Sequence, residues 1–324
     1  MDFSPTLSEL EHAAEIVYRH MLATPQIHWP LLSARAGCDV WVKHENHTPI
    51  GAFKVRGGLV FLDHLKRDRP DITGIISATR GNHGQSLAFA ASRAGLSATI
   101  VVPKGNNPEK NAAMKALGAE LIEYGSDFQE AYEQTAVFAA ERNLHIIGPF
   151  EPPLIHGVAT YSLEFLRSTP ELQTVYVPIG MGSGISGMIA ARDALGLTTK
   201  IVGVVAENAP AYALSFAKGE AVSTNTANTL ADGVACRTPD AAAVSIINKG
   251  ADRIVSVSED EIPHALGCYF TDPHNLAEGA GAVPLAALLK EKDQIAESCV
   301  GLVLSGGNVD RSLFSQVLKT PLGA

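Results

Sequence analysis

The sequence predicts an α/β fold built from doubly wound parallel sheets, and three observations carry that expectation. Short β-branched runs recur at 40–42, 74–77, 98–102, 120–122, 175–178, 201–205, 253–257 and 300–304. Most are apolar on both sides of the pleat, as strands covered on both faces must be. Helix-length segments lie between them, among others at 54–68, 85–94, 128–142, 183–195 and 260–270. Of the 324 residues, 46% are hydrophobic and 18% charged, which suits one or two large cores and excludes a disordered chain. Alternating strands and helices give parallel sheets that bind ligands at the carboxyl ends of their strands.

The chain opens on Met1-Asp2-Phe3-Ser4-Pro5, without the basic start and apolar run of a secretory leader. Ser8 followed by Glu11 has the spacing of a capping box and is expected to open the first helix. No apolar stretch approaches the ~20 residues needed to span a bilayer, so a cytoplasmic protein is expected. The net charge of −9 argues against nucleic acid and anionic membrane as partners. The cysteines, at 38, 236, 268 and 299, form no CxxC pair and are expected to be free thiols.

Four stretches carry chemistry. In Pro49-Ile50-Gly51-Ala52-Phe53-Lys54-Val55-Arg56-Gly57-Gly58, a lysine stands at the mouth of a helix behind an aromatic. Partial desolvation favours its neutral amine, as a Schiff-base nucleophile requires; a surface lysine beside a core aromatic is the alternative. In Ser77-Ala78-Thr79-Arg80-Gly81-Asn82-His83-Gly84, polar groups meet N–H groups at a helix N-terminus, which suits a carboxylate or a plain capped turn. Pro178-Ile179-Gly180-Met181-Gly182-Ser183-Gly184 lets backbone approach a phosphate. Leu304-Ser305-Gly306-Gly307-Asn308 ends the last strand, either as a tight turn or as a serine offered to a flat ligand.

The third stretch also satisfies a dinucleotide fingerprint at Gly182, Gly184 and Gly187, with Glu207 placed as a ribose-binding acid. Read alone it suggests an NAD-dependent oxidoreductase. That enzyme would need neither the early Phe-Lys stretch nor the terminal Ser-Gly-Gly-Asn. Together with Thr229-Leu230-Ala231-Asp232-Gly233-Val234 and Leu276-Ala277-Glu278-Gly279-Ala280-Gly281, the four stretches resemble the serine/threonine dehydratase and serine racemase family. These are pyridoxal 5'-phosphate (PLP) enzymes of fold type II, like the tryptophan-synthase β chain, and the resemblance covers nearly the whole chain.

The resemblance implies a discontinuous large domain (1–64 and 152–324) and a small substrate-clamping domain (65–151). It implies that Lys54 carries PLP and, once displaced by substrate, serves as the base at Cα. Phe53 would lie against the cofactor ring, Asn82 would bond its phenolic oxygen, and Ser305 would face its ring nitrogen. Gly180, Met181, Gly182, Ser183 and Gly184 would cradle the phosphate, with Gly233 and Glu278 also at the cofactor. Thr79, Arg80, Gly81, Asn82 and His83 would receive the substrate carboxylate. The implied reaction removes water and ammonia from a small 3-hydroxy amino acid of the L-threonine or L-serine type. Racemisation, β-replacement, and dehydration of 3-hydroxyaspartate or phenylserine remain open on the same scaffold. A homodimer is the family expectation. The absence of an appended regulatory domain implies a feedback-insensitive catabolic enzyme.

Three departures stand out. Met181 and Ser183 replace glycines of the racemase-like loop. Arg80 stands where racemases have a proton-donating serine; arginine is a poor proton shuttle, so weak or absent racemisation is expected. Arg80 would instead pair with a second substrate carboxylate or bind the chain itself. Glu207 matches a metal-binding acid whose partner position is Ala213, which argues against a divalent cation and leaves a monovalent one open. The His44-x-x-His47 pair has no third ligand and is read as structural.

Overall fold

The computed structural model describes residues 4–126, 128–169, 171–295 and 298–319. Its strands are β1 (Gln26–His28), β2 (Asp39–His44), β3 (Gly74–Ala78), β4 (Ser97–Val102), β5 (Glu120–Glu123), β6 (His145–Ile146), β7 (Thr174–Pro178), β8 (Lys200–Ala206), β9 (Arg253–Val257) and β10 (Cys299–Leu304). They form a six-stranded sheet in the order β1-β2-β10-β7-β8-β9 and a four-stranded sheet in the order β5-β4-β3-β6. Every pairing is parallel except β1 with β2.

Each expected strand is present, lengthened by at most three residues. The sequence pattern misses β1 and β6, because edge strands of three and two residues carry no apolar run. The larger sheet shows why continuous apolar runs were the right signal. Along β7, Tyr176 enters one core while Val175 and Val177 enter the core on the opposite face. Both faces are dry, so polar alternation is absent.

The first helix, Leu7–Tyr18, corrects one expectation. Its capping box is Thr6 with Glu9, not Ser8 with Glu11: Thr6 Oγ accepts from Glu9 N at 3.3 Å, and Glu9 Oε2 accepts from Thr6 N at 2.7 Å. The earlier pair adds Leu7 and Ser8 to the helix directly behind Pro5. Ser8 lies inside, and Glu11 pairs with Arg167.

The glycine pair after Lys54 is a packing device. On the helix Lys54–Asp68, a Cβ at Gly57 would stand 2.7 Å from the Leu154 carbonyl oxygen, and one at Gly58 would stand 2.3 Å from Ser86 Oγ. The helices Pro152–Ser168 and Asn82–Ala94 therefore press closely on the first turns of this helix. Arg56 fixes it further. Its guanidinium, fully buried, donates to Glu45 Oε2 at 2.7 Å and Glu164 Oε1 at 2.6 Å, while Lys43 Nζ donates to Glu164 Oε2 at 2.5 Å. Two cations and two carboxylates thus compensate one another in a dry interior.

Position 64 falls inside the Lys54–Asp68 helix, whose apolar face joins the core packed on the four-stranded sheet. That sheet is drawn entirely from residues 74–146. Among the described residues no helix is long and apolar enough to cross a membrane.

Candidate active site

Three strands end at the same cleft. β3 delivers Thr79-Arg80-Gly81, β7 delivers 179–182, and β10 delivers Ser305-Gly306. Lys54 ties them together. Its Nζ donates to Ser183 Oγ at 2.8 Å, its carbonyl accepts from Ser86 Oγ at 2.6 Å, and Phe53 N donates to the Ser305 carbonyl at 3.0 Å. The ammonium lies 5.0 Å from the centroid of the Phe53 ring. Burial pushes the amine down to about 8, and no carboxylate pairs with it among the described residues.

The helices Asn82–Ala94 and Ser183–Ala194 both start at this cleft, behind Gly81 and Gly182, and no side chain caps either one. Thr6, Asn107, Asp240 and Asp310 do cap helices elsewhere in the chain. Uncapped N-termini leave their first N–H groups for an anion, with the helix dipole favouring it. The Gly180 loop is shaped for close approach. Gly182 holds a left-handed φ of +93°, and a Cβ at Gly180 would stand 2.1 Å from the Gly233 carbonyl oxygen. The sulfur of Met181 packs 3.7 Å from Cys236 Sγ, and its carbonyl accepts from Tyr212 Oη at 2.9 Å. Phe53 meets Tyr161 edge to face, and Tyr161 Oη donates to the Gly184 carbonyl at 3.2 Å.

Thr79 is buried and its hydroxyl accepts from Gly81 N at 3.2 Å, so the segment is a capped turn and an exposed N-terminus at once. His83 Nε2 is buried without a hydrogen-bond partner among the described residues. Burial first, then the nearby Lys54, pushes His83 down to about 3, which keeps it neutral. Its unpaired nitrogen is one sign that a ligand group completes the cleft.

Asn82 has a fixed amide. Asn308 Nδ2 donates to Asn82 Oδ1 at 2.8 Å and to the Ile50 carbonyl at 2.9 Å, which uses both of its protons. Asn82 Nδ2 donates one proton to Glu278 Oε1 at 2.7 Å and keeps a second. Glu278 is buried, which raises its carboxyl above the usual range, and it leaves no room for a Cβ at Gly306. Ser305 is buried at the end of β10. Neither Asn308 nor the Asn82–Glu278 contact is visible from spacing, since 226 and 196 residues separate the partners.

Other candidate residues stand outside this cluster. Arg80 is exposed; its carbonyl accepts from Asn106 Nδ2 at 3.2 Å. Glu207 contacts the Lys290 ammonium at 3.3 Å, with half its side chain in solvent. Among the described residues, no group of three His, Cys, Asp or Glu is placed to hold a metal ion. His44 is buried and accepts from Trp29 Nε1 at 2.9 Å, and His47 Nε2 contacts Asn275 Oδ1 at 2.8 Å. All four cysteines are free.

The cleft offers a desolvated lysine amine, a glycine loop with an uncapped helix, and an amide with a spare proton. That donor set fits a flat phosphorylated aldehyde. A family model described as pyridoxal-phosphate dependent enzyme matches residues 17–306. An L-threonine ammonia-lyase of Geobacter sulfurreducens is 35% identical over 316 residues, 97% of this chain and 78% of that protein. The processed threonine deaminase isoform 2 of Solanum lycopersicum superposes with a TM-score of 0.89 at 29% identity, covering 98% of this chain and 94% of that one. Maize serine racemase superposes with a TM-score of 0.91 at 27% identity, covering 98% and 97%.

Proposed function

We propose, from the premise that this chain belongs to the pyridoxal-phosphate dependent enzyme family, that it is a dehydratase and ammonia-lyase. Its substrate is a small 3-hydroxy amino acid of the L-threonine or L-serine type, and its products are a 2-oxo acid and ammonia. The observation that carries this reading is the placement of Lys54, whose desolvated amine donates to Ser183 at the uncapped start of one helix while its carbonyl is held by Ser86 in the first turns of another. The named relatives, threonine lyases and deaminases, support it.

Bound PLP supplies the electron sink that makes an amino acid's Cα proton removable. The chain's residues do the rest. The loop 180–184 and the N-terminus of Ser183–Ala194 would bind the phosphate. Asn82 would offer its second amide proton to the phenolic oxygen, and Phe53, Gly233 and Glu278 would line the ring. Ser305 would offer the ring nitrogen a neutral hydroxyl, which would favour prompt loss of a β-leaving group over transamination. Thr79, Gly81, Asn82 and His83 receive the substrate carboxylate at the start of Asn82–Ala94. Lys54 takes the Cα proton. Arg80, exposed next to Thr79 and Gly81 in the chain, would read a second carboxylate.

The dinucleotide reading of the Gly182 loop loses its acid, since Glu207 is engaged by Lys290. With Ala213 in place of a second acid we assign no divalent cation to Glu207, and a monovalent one stays open. The division into domains 1–64 with 152–324 and 65–151, a homodimer and a cytoplasmic location complete the reading.

The test is a 2-oxo acid and ammonia assay on purified yellow protein. The panel holds L-threonine, L-serine, threo- and erythro-3-hydroxyaspartate and phenylserine. Turnover of a hydroxy amino acid is expected; yellow protein that yields no 2-oxo acid from any of them overturns the reading.

A further inference from the structure

We propose that Ser183 is a catalytic residue: its hydroxyl is the partner of the Lys54 amine whenever that amine is free, and it holds the amine's proton. The inference rests on the reading of Lys54 as the cofactor lysine and goes beyond it. The loop was expected to cradle a phosphate, with Ser183 bonded to that anion. The structure places the hydroxyl elsewhere, 2.8 Å from Lys54 Nζ.

Two features make this contact more than a neighbour. Ser183 is buried at the first helical position behind the N-cap Gly182, and the Lys54 amine is the partner its hydroxyl meets there. The surroundings of Lys54 are the second feature. No carboxylate pairs with it among the described residues, its ring neighbour is Phe53, and the nearby His83 is kept neutral. A buried ammonium in such a place is costly unless something accepts its hydrogen bond. Ser183 Oγ is that acceptor.

The hydroxyl suits both protonation states of the amine. Toward an ammonium it accepts, and its own O–H turns to an acceptor in the loop. Toward a neutral amine it can donate to the nitrogen lone pair. Glycine at this position, as in the all-glycine form of the loop, can do neither. When Lys54 has taken the Cα proton it is an ammonium, and Ser183 keeps that ammonium at the phosphate loop. Return of the proton to Cα is disfavoured, and elimination gains over exchange.

The experiment strips PLP from the holoenzyme, adds it back, and follows the rate of Schiff-base absorbance against pH. Only the neutral amine reacts, so the profile reports the protonation of Lys54. An ammonium–hydroxyl hydrogen bond favours the charged form, so losing it moves the midpoint of Ser183→Ala down by about one pH unit. Ser183→Gly is expected to behave as Ser183→Ala, and Ser183→Thr to restore the parent midpoint. Should the alanine protein not fold, the glycine protein makes the same comparison. Deuterium exchange at Cα of L-alanine, which has no β-leaving group, should rise relative to dehydration in the variants lacking the hydroxyl. Superimposable profiles for parent, alanine and glycine proteins, or an upward shift, overturn the proposal. The capture assay needs no turnover, so it reads Ser183 even in a protein that dehydrates nothing. Capture that survives in Lys54→Ala is a different result, and fails the assignment of Lys54 instead.

Discussion

Asn308 Nδ2 donates to Asn82 Oδ1 at 2.8 Å, joining the end of the last strand to the start of the helix Asn82–Ala94. Because Asn308 has spent both protons, Asn82 must present its oxygen to Asn308 and its NH2 to Glu278 and the cleft. One asparagine thereby fixes which way another faces. Asn308→Ala removes that constraint and lets the Asn82 amide turn over. A fall in PLP affinity of about tenfold is expected, equal to the net value of one hydrogen bond, with a shift of the visible band. Equilibrium titration of stripped protein with PLP measures both; an unchanged affinity and spectrum would refute the role.

Lys54→Ala should abolish the visible Schiff-base band. It should lower kcat by at least the ~10²–10⁴-fold attributed to a general base. The parent's capture of PLP should rise with pH through about 8, where the desolvated amine loses its proton, and level off above it. Stopped-flow absorbance across pH 6 to 10 provides the check.

Arg56→Met strands the buried Glu45 carboxylate, leaves Glu164 with Lys43 as its remaining cation, and should destabilise the fold by about 3–5 kcal/mol in urea titration. Burial alone would raise Glu164, but Arg56 and Lys43 hold it below the usual carboxylate range. The folded pKa lies below the unfolded one. The network's contribution is therefore present at neutral pH and is lost as pH falls through the carboxylate range toward the lowered value. A midpoint that does not decline on acidification would count against this account.

With arginine at position 80 in place of the serine that racemases use, the parent should form no measurable D-serine from L-serine while it forms 2-oxo acid. Arg80→Ala should leave threonine turnover within about threefold, since the side chain is exposed and a substitution of this kind seldom exceeds ~0.5 kcal/mol. Turnover of 3-hydroxyaspartate should fall by tenfold or more if the guanidinium meets its second carboxylate. Chiral chromatography and a coupled 2-oxo acid assay separate these outcomes.

The strand runs, the glycine loops and the Lys54, Asn82 and Ser305 stretches were legible in the sequence because each signal is local. A buried parallel strand must be apolar on both faces, and an anion loop must be glycine-rich before an uncapped helix. Legibility failed where the signal is weak or ambiguous. The edge strands β1 and β6 are too short to show a period, and the capping box read at Ser8 and Glu11 lies two residues beyond the one that forms at Thr6 and Glu9.

By itself the sequence determined the α/β architecture and the order of the chemical stretches along the chain, since backbone periodicity and turn chemistry act over a few residues. The tertiary structure alone decided which of those residues touch. It set Lys54 against Ser183 across 129 residues and Asn308 against Asn82 across 226, and it gave Glu207 to Lys290. Such contacts depend on where strand ends from distant parts of the chain converge. Hydrogen bonds are short and directional, and nothing in local composition encodes which distant donor will arrive within reach.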